Sequence, residues 1–180
     1  MVRIFIAIDL PPAIKEQIQE CQSILSTSRA KLTLVNPSSV HITLKFIGEV
    51  DPVLIEPISQ ALKKFNFEPF NLSIERIGTN NPRSPRVIWG NVVDSGKCVL
   101  LHHDIETILA PFGIPNEPRP FTPHMTIARV KNFHPSLLET LKKISDMNLG
   151  GTTVNGIILK KSTLRPEGPL YENLCEVIWN

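Results

Sequence analysis

The sequence predicts an α+β fold, and three observations lead to that prediction. Segments with strand-like and helix-like apolar periodicity alternate along the chain, in all about four helices and seven or eight strands. The pattern His-x-Thr-apolar occurs twice, 83 positions apart in 180 residues, which suggests an ancient duplication with two similar lobes. Hydrophobic residues make up 42% and charged residues 20%, as in ordinary globular proteins. The length suits a single domain, residues 1–180.

The first 65 residues contain three predicted strands and two predicted helices. The opening segment is apolar and β-branched, and the prolines at positions 11 and 12 stand where the first turn of a helix tolerates them. A turn of Asn, Pro and two Ser separates the second strand from the third. The predicted elements are the strands Val2–Ile8, Lys31–Asn36 and Val40–Ile47 and the helices Ala13–Leu25 and Asp51–Phe65.

Residues 66–180 contain five predicted strands and two predicted helices. Gly113 is predicted to cap the helix Lys97–Phe112. Four prolines restrict the backbone of residues 114–123, the loop before the strand that begins at His124. A turn is predicted at Pro166–Pro169. The predicted elements are the strands Phe70–Ile77, Val87–Val93, His124–Lys131, Gly156–Leu164 and Leu174–Trp179 and the helices Lys97–Phe112 and Ser136–Met147.

Each His-x-Thr motif lies on a predicted strand and forms a small polar site. Residues two apart on a strand share a face at about 6.6 Å, so His41 lies beside Thr43 and His124 beside Thr126. If the strands are neighbours, both imidazoles and both hydroxyls face a gap of phosphate size. One such motif often arises by chance, whereas two on predicted strands indicate function. The motifs span His41, Ile42, Thr43 and Leu44, and His124, Met125, Thr126 and Ile127.

Strict alternation along these strands predicts which neighbouring side chains join the site. Lys45 is expected on the face of His41, and Phe46 is expected in the core rather than beside a nucleobase. Arg129 falls on the face opposite His124, so its participation requires a bulge or a strand that ends near Ala128.

Two histidines and two threonines are suited to acid–base chemistry on a phosphate ester. The ordinary imidazole pKa of about 6.5 allows one ring to be neutral while the other is protonated. The neutral ring would draw a proton from attacking water, and the protonated ring would give one to the departing ribose oxygen. Each hydroxyl would donate to a non-bridging oxygen, which can stabilise the transition state by roughly 2.7 to 4 kcal/mol. This scheme requires neither a metal nor a cofactor.

The other chemically active residues are assigned ordinary structural roles. His102 and His103 are helix neighbours that point about 100° apart and do not easily share a metal, so they, like His134, are interpreted as packing or solvated residues. The three cysteines, widely spaced and odd in number, are interpreted as buried small hydrophobes. Three arginines in or beside proline-rich loops either contact an RNA backbone or are ordinary surface charge. They are Arg83, Arg86 and Arg119.

Composition and motifs argue against several classes of protein. The net charge of +2 creates little long-range field, so an anionic ligand must be held by local groups. The sequence lacks a Walker-type glycine loop, a G-x-S-x-G elbow, an H-E-x-x-H helix and a dinucleotide-binding G-x-G-x-x-G. No apolar run approaches the roughly 18 residues of a membrane span, and Asp9 interrupts any leader-like segment. We therefore expect a cytoplasmic protein without a membrane partner.

Five blocks of sequence carry a family resemblance. They are RIFIAIDLPP at residues 3–12, HITLKFIGEV at 41–50, PRVIWGNV at 85–92, RPFTPHMTIARV at 119–130 and LRPEGPLYE at 164–172. With these blocks the chain resembles the LigT-like RNA 2',3'-cyclic phosphodiesterases of the 2H phosphoesterase superfamily, first described as RNA 2',5' ligases. The likeness runs nearly end to end.

The resemblance implies a fold, an activity and a set of site residues. Family members form one domain of two intertwined, pseudo-symmetric lobes, with antiparallel sheets lining a central cleft and helices outside. They hydrolyse RNA 2',3'-cyclic phosphate ends to 2'-phosphates without a metal or cofactor. By similarity, His41 is the proton donor and His124 the proton acceptor. Thr43, Thr126 and Arg129 match the substrate-binding positions. The implied partner is RNA, tRNA fragments included, and the implied state is a monomer with no obligate protein partner.

Other hypotheses remain open. The same phosphate chemistry would serve another cyclic nucleotide, an ADP-ribose cyclic phosphate, or reversible ligation of 2',5' RNA ends. An RNA-binding module that has lost turnover is a hypothesis of another class. Such a module would not need a titrating pair, so the intact histidines argue against it.

Overall fold

A computed structural model describes residues 1–166 and 168–179. This range contains four α-helices and nine strands, so the predicted α+β class is confirmed. The helices are α1 (Pro12–Leu25), α2 (Ile55–Lys63), α3 (Lys97–Leu109) and α4 (Ser136–Ile144). The strands are β1 (Val2–Asp9), β2 (Lys31–Leu34), β3 (His41–Val50), β4 (Phe70–Thr79), β5 (Val87–Val93), β6 (His124–Asn132), β7 (Asn148–Val154), β8 (Gly156–Thr163) and β9 (Leu170–Ile178).

All nine strands belong to one antiparallel sheet, and the two His-x-Thr strands meet at its middle. The strand order is β7-β4-β5-β6-β3-β1-β8-β9, and β2 also pairs with β6. The strands β3 and β6 are joined where Ile42 stands opposite Met125. Since these residues are the second position of each motif, the pairing sets the two motifs side by side.

Two of the helices, α1 and α3, pack against the half of the sheet that does not contain their preceding strand, the two halves being β7-β4-β5-β6 and β3-β1-β8-β9. Helix α1 follows β1 but packs against β6, β7 and α4, and α3 follows β5 but packs against β3 and α2. Each of these two helices therefore supports the His-x-Thr strand of the other half. Their inward residues belong to one continuous apolar core: Ile14, Ile18, Cys21, Leu25, Cys98, Leu101, Ile105 and Leu109.

A buried ion pair joins α3 to β3 and to the proline-rich loop. The Lys45 ammonium donates to Glu106 at 2.6 Å and to the Pro115 carbonyl at 2.8 Å, and the exposed fractions of the two charged side chains are 5% and 8%. The Glu117 amide also donates to Glu106, at 2.6 Å. Burial alone would raise the pKa of Glu106, but the bonds from Lys45 and Glu117 outweigh it and hold that pKa below its ordinary value.

Most predicted elements are present, with shifted boundaries. The strand β7 was missed, because Gly150 and Gly151 interrupt its apolar alternation. The predicted helix Asp51–Phe65 begins as a 3-10 turn, Pro52–Leu54, before α2 starts, as prolines at positions 52 and 57 delay the regular helix. Gly113 does end the α3 region, in the left-handed conformation at φ 73°.

Other expectations concern the chain ends, the cysteines and membranes. The last strand begins at Leu170, four residues before the predicted start. Part of the predicted turn Pro166–Pro169 lies outside the described residues, since residue 167 is not described. All three cysteines are buried and unpaired, as predicted. Within the described ranges, no helix has both the length and the apolar character needed to cross a bilayer.

Candidate active site

A cleft of about 950 Å³ opens where β3 and β6 meet. Both His-x-Thr pairs line it, and so does Arg129. The structure therefore brings together all five residues singled out in the sequence: His41, Thr43, His124, Thr126 and Arg129. The other described lining residues are Arg3, Phe5, Thr33, Leu34, Val35, Asn36, Ser38, Ser39, Val40, Phe46, Ser162, Leu164, Arg165, Gly168, Pro169, Leu170 and Tyr171.

The two imidazoles are held in the same way. In each motif the ring Nδ1 lies 2.8 Å from the carbonyl oxygen two residues earlier, that of Ser39 for His41 and that of Thr122 for His124. A carbonyl only accepts, so the bonding assigns the proton of each neutral ring to Nδ1. In both rings, Nε2 is therefore the nitrogen that can exchange a proton with a substrate. The Nε2 atom of His41 lies 3.1 Å from the Thr43 hydroxyl.

Two aromatic rings pack beside His41, and burial lowers the pKa of its imidazole. The centroids of Phe5 and Tyr171 lie 4.9 and 5.2 Å from that of the imidazole. This burial disfavours the charged ring, and although the bond to the Ser39 carbonyl opposes it, the pKa of His41 stays below its ordinary value. The free protein therefore favours neutral His41.

A charge pair beside His41 acts on the same pKa in two directions. Asp9 stands opposite His41 in the pairing of β1 with β3. The buried Lys160 ammonium lies 3.0 Å from Asp9 and 2.8 Å from the Asn173 side-chain oxygen. Asp9 raises the pKa of His41 and Lys160 lowers it. These two residues therefore influence the pKa of the candidate acid.

A β-bulge lies at the fourth position of each motif, Leu44 in β3 and Ile127 in β6. One step along β1, from Ala7 to Ile6, faces two steps along β3, from Thr43 to Lys45, so one extra residue of β3 lies between them. In β6 the extra residue is Ile127, since one step along β5 faces the two steps from Thr126 to Ala128. Because an extra residue inverts alternation, the side chains beyond each bulge change faces.

These bulges correct two expectations based on strict alternation. Lys45 is buried with Glu106 on the helix side instead of sharing a face with His41. Phe46, expected in the core, is 50% exposed and lines the cleft, where the Arg3 guanidinium lies 4.8 Å from its ring centroid. Arg129, whose participation required a bulge, has one before it and lines the cleft as well.

The cleft is lined by cationic rather than acidic side chains. Arg3, Arg129 and Arg165 line it together with the two histidines, while none of its described lining residues is an Asp or Glu. A protein of net charge +2 thus concentrates positive charge locally, which suits a phosphate. Arg83, Arg86 and Arg119 are exposed and do not line this cleft. For these three the two interpretations remain open.

A possible metal-ligand group lies on α3, outside the cleft lining. Ligand atoms of His102, His103 and Glu106 lie within 4.8 Å of one another. Glu106 is already bonded to the Lys45 ammonium, and His102 uses Nδ1 toward the Leu44 carbonyl. The cation beside the carboxylate opposes a second cation there. His102 also stacks on a phenylalanine ring at 4.3 Å, in keeping with its predicted packing role.

Comparison with known proteins places the chain in a family. The sequence model of one protein family, the 2'-5' RNA ligase superfamily, matches residues 10–157. The chain belongs to this superfamily. It is 33% identical to the RNA 2',3'-cyclic phosphodiesterase of Archaeoglobus fulgidus, over 96% of this chain and 98% of that protein. It is 35% identical to that of Methanocaldococcus jannaschii, over 97% and 99%.

Solved structures of this superfamily share the fold. The crystal structure of TT0787 of Thermus thermophilus superposes with a TM-score of 0.84 at 25% identity, covering 98% of this chain and 97% of that one. The crystal structure of E. coli LigT complexed with 3'-AMP gives 0.80 at 25% identity, covering 99% and 98%. The 2H phosphoesterase resemblance and the fold class are thereby confirmed.

Sequence reasoning missed four side chains that help to form the cleft or to surround His41. Phe5, Arg3 and Asp9 come from the opening strand, and Tyr171 from the closing one. Arg3 and Phe5 stand two positions apart on a mostly apolar strand, which was a weak signal that they share a face. The local pattern around Tyr171 gave no such signal, because the position of Tyr171 depends on a strand pairing across the sheet, although the residue lies within the family block at 164–172.

Proposed function

We propose that this protein hydrolyses RNA 2',3'-cyclic phosphate ends to 2'-phosphates by acid–base catalysis of His41 and His124. The observation that carries the proposal is the pair of His-x-Thr sites, with matching Nδ1 bonds to backbone carbonyls, side by side on the adjacent strands β3 and β6 in one cationic cleft. The phosphodiesterases of Archaeoglobus and Methanocaldococcus support the substrate class.

In the proposed reaction, His124 is the base and His41 the acid. Neutral His124 takes a proton at Nε2 from water, whose oxygen forms a bond to phosphorus. The bond from phosphorus to the ribose 3' oxygen breaks, and protonated His41 gives its proton to that oxygen. The phosphate remains on the 2' oxygen, and the two rings have exchanged protonation states.

In this scheme, His41 gains its proton when the substrate binds. In the free protein, burial lowers the pKa of His41, which favours the wrong state for an acid. A bound phosphate places negative charge beside the ring and raises that pKa. The scheme therefore couples substrate binding to charging of the acid.

Thr43, Thr126 and Arg129 are the proposed phosphate ligands. The hydroxyls donate to the non-bridging oxygens, and the guanidinium adds a permanent charge beyond the bulge of β6. All three line the cleft together with the imidazoles. We further propose RNA ends, tRNA fragments among them, as the substrate of a cytoplasmic monomer.

A second candidate function is ligation, and the family match favours it. A 5'-hydroxyl in place of water would attack the same phosphorus, and loss of the same 3' oxygen would leave a 2',5' bond. The residues and proton transfers are unchanged. An RNA carrying a 5'-hydroxyl, added to the hydrolysis assay, tests this activity through the longer product.

Turnover is expected to survive EDTA at an unchanged rate. The reaction needs only the imidazoles and hydroxyls, and the described cleft lining offers no carboxylate for a metal. The measurement is hydrolysis of a short RNA with a 2',3'-cyclic phosphate end, with a cyclic nucleotide and an ADP-ribose cyclic phosphate as competing substrates. Activity that EDTA abolishes and zinc or magnesium restores would contradict the scheme. Turnover of a competing substrate alone would overturn the RNA assignment.

Asp9→Asn and Lys160→Met are expected to move the pH profile in opposite directions. Asp9 raises and Lys160 lowers the pKa of His41. In kcat/KM, the acid's pKa sets the limb at which activity falls with rising pH. Loss of Asp9 therefore moves this limb to lower pH, and loss of Lys160 moves it to higher pH. The control is Lys161→Met. In the wild type, the Lys161 ammonium pairs with the partly exposed Glu172. Shifts of the same sign would rule out this tuning.

A further inference from the structure

The two bulges share a feature that none of the roles above uses. Each contains a buried carbonyl bonded by a side chain from the helix that crosses from the other half. The His102 Nδ1 donates to the Leu44 carbonyl at 2.8 Å, and the Gln22 amide donates to the Ile127 carbonyl at 3.1 Å. His102 belongs to α3 and Gln22 to α1, and only 3% and 6% of their surfaces are exposed.

The contacts of Gln22 use both hydrogens of its amide. It donates to the Val35 carbonyl at 2.7 Å and to the Ile127 carbonyl at 3.1 Å. The Val35 amide itself donates to Ile127 at 3.0 Å. Gln22 therefore ties the bulge of β6 to the chain segment that follows β2. Val35 lines the cleft, so this anchor lies directly behind a cleft wall.

The bulge at Ile127 determines where Arg129 points. Ile127 and Ala128 are consecutive and both fully buried, which regular alternation does not allow. Without the extra residue, Arg129 would occupy the face opposite Thr126. With it, both line the cleft. Any side chain that holds the bulge therefore controls presentation of the guanidinium.

We propose that Gln22 is a positioning residue, which holds the bulge at Ile127 so that Arg129 meets the substrate phosphate. His102 has the matching role at Leu44, beyond which Phe46 turns to the cleft. The substrate part of this inference rests on the proposed function, but anion binding by Arg129 does not. Gln22 touches no reacting group and acts through Arg129.

A double-mutant cycle on phosphate affinity tests the proposal without requiring turnover. The variants are Gln22→Met, Arg129→Ala and their combination, titrated with inorganic phosphate, and kcat/KM is measured in parallel. Gln22→Met, which keeps the length but loses both donors, is expected to weaken phosphate binding roughly tenfold. In the Arg129→Ala background it should have almost no further effect. Gln17→Met, on the exposed side of α1, is the matched control.

A second cycle separates positioning from general damage. Gln22→Met combined with Thr43→Val, which alters the other motif, should be additive, because Thr43 does not depend on this bulge. Should Gln22→Met not fold, Gln22→Asn, whose amide is one methylene too short, enters both cycles. The proposal is overturned if Gln22→Met weakens phosphate binding equally in the wild-type and Arg129→Ala backgrounds, or does not weaken it at all. It is also overturned if the wild-type protein binds no phosphate. Coupled phosphate binding without turnover of cyclic phosphate sustains it and instead overturns the proposed function.

Discussion

Replacing His41 or His124 with alanine is expected to lower kcat/KM for a cyclic phosphate end by roughly 10²- to 10⁴-fold. Each imidazole is oriented by a carbonyl at Nδ1, and Nε2 is the nitrogen left to exchange protons. The double variant should fall much less than the product of the two losses, since either change alone disables the proton exchange. The measurement is initial rate against substrate concentration in variants whose melting temperatures match wild type.

Two other histidines supply the controls for this prediction. His103 is exposed on α3, and His134 accepts a bond from the Ser136 amide at 3.1 Å near the start of α4. Neither lines the cleft, so the alanine variants should retain wild-type rates. Fully active His41→Ala or His124→Ala protein would remove that histidine from the mechanism, and the two-histidine scheme would have to be abandoned.

Glu106→Ala is expected to lower the free energy of unfolding by about 3–5 kcal/mol. The change leaves the Lys45 ammonium buried, with the Pro115 carbonyl as its remaining partner among the residues that the structure describes. It also removes the acceptor of the Glu117 amide, which helps to hold the loop before His124. Since domains of this size are stable by about 5–15 kcal/mol, the loss should be large in a denaturant titration.

An exposed pair provides the comparison for this stability prediction. Glu139 and Lys142 lie 3.0 Å apart on α4, with 71% and 73% of their side chains exposed. Glu139→Ala should cost about 0–1 kcal/mol, because solvent screens the pair. Replacing both buried partners, as Lys45→Met with Glu106→Leu, should recover most of the loss. Equal effects of Glu106→Ala and Glu139→Ala would show that burial does not strengthen the α3 pair.

Local pattern was enough to predict much of the fold and the centre of the candidate site. An apolar, β-branched run identified β1, and apolar alternation identified β3. The repeated motif placed His41 and His124 at matching positions on two strands, which are neighbours in the structure, where Ile42 meets Met125. These features depend on residues close in sequence or on the symmetry of a duplication. For that reason a single sequence could reveal them.

The bulges could not be predicted, because a bulge is defined by what stands opposite it. The extra residue Ile127 exists only relative to the register of β5, and its carbonyl is bonded by Gln22, 105 positions away. Arg129 and Phe46 therefore reach the cleft through long-range pairing. The strand β7 was missed for the same reason. Its glycines obscure the strand pattern in the sequence, and the strand is identified by its pairing with β4.

Phosphorus NMR of the product from a short RNA bearing a 2',3'-cyclic phosphate end tests the central claim most directly. Wild-type protein, in the presence of EDTA, is predicted to yield a 2'-phosphate, because the acid protonates the departing 3' oxygen. Within the time that wild type needs to convert its substrate, His41→Ala and His124→Ala should form almost none of this product. A 3'-phosphate, or an unchanged cyclic phosphate with wild type, would contradict the account.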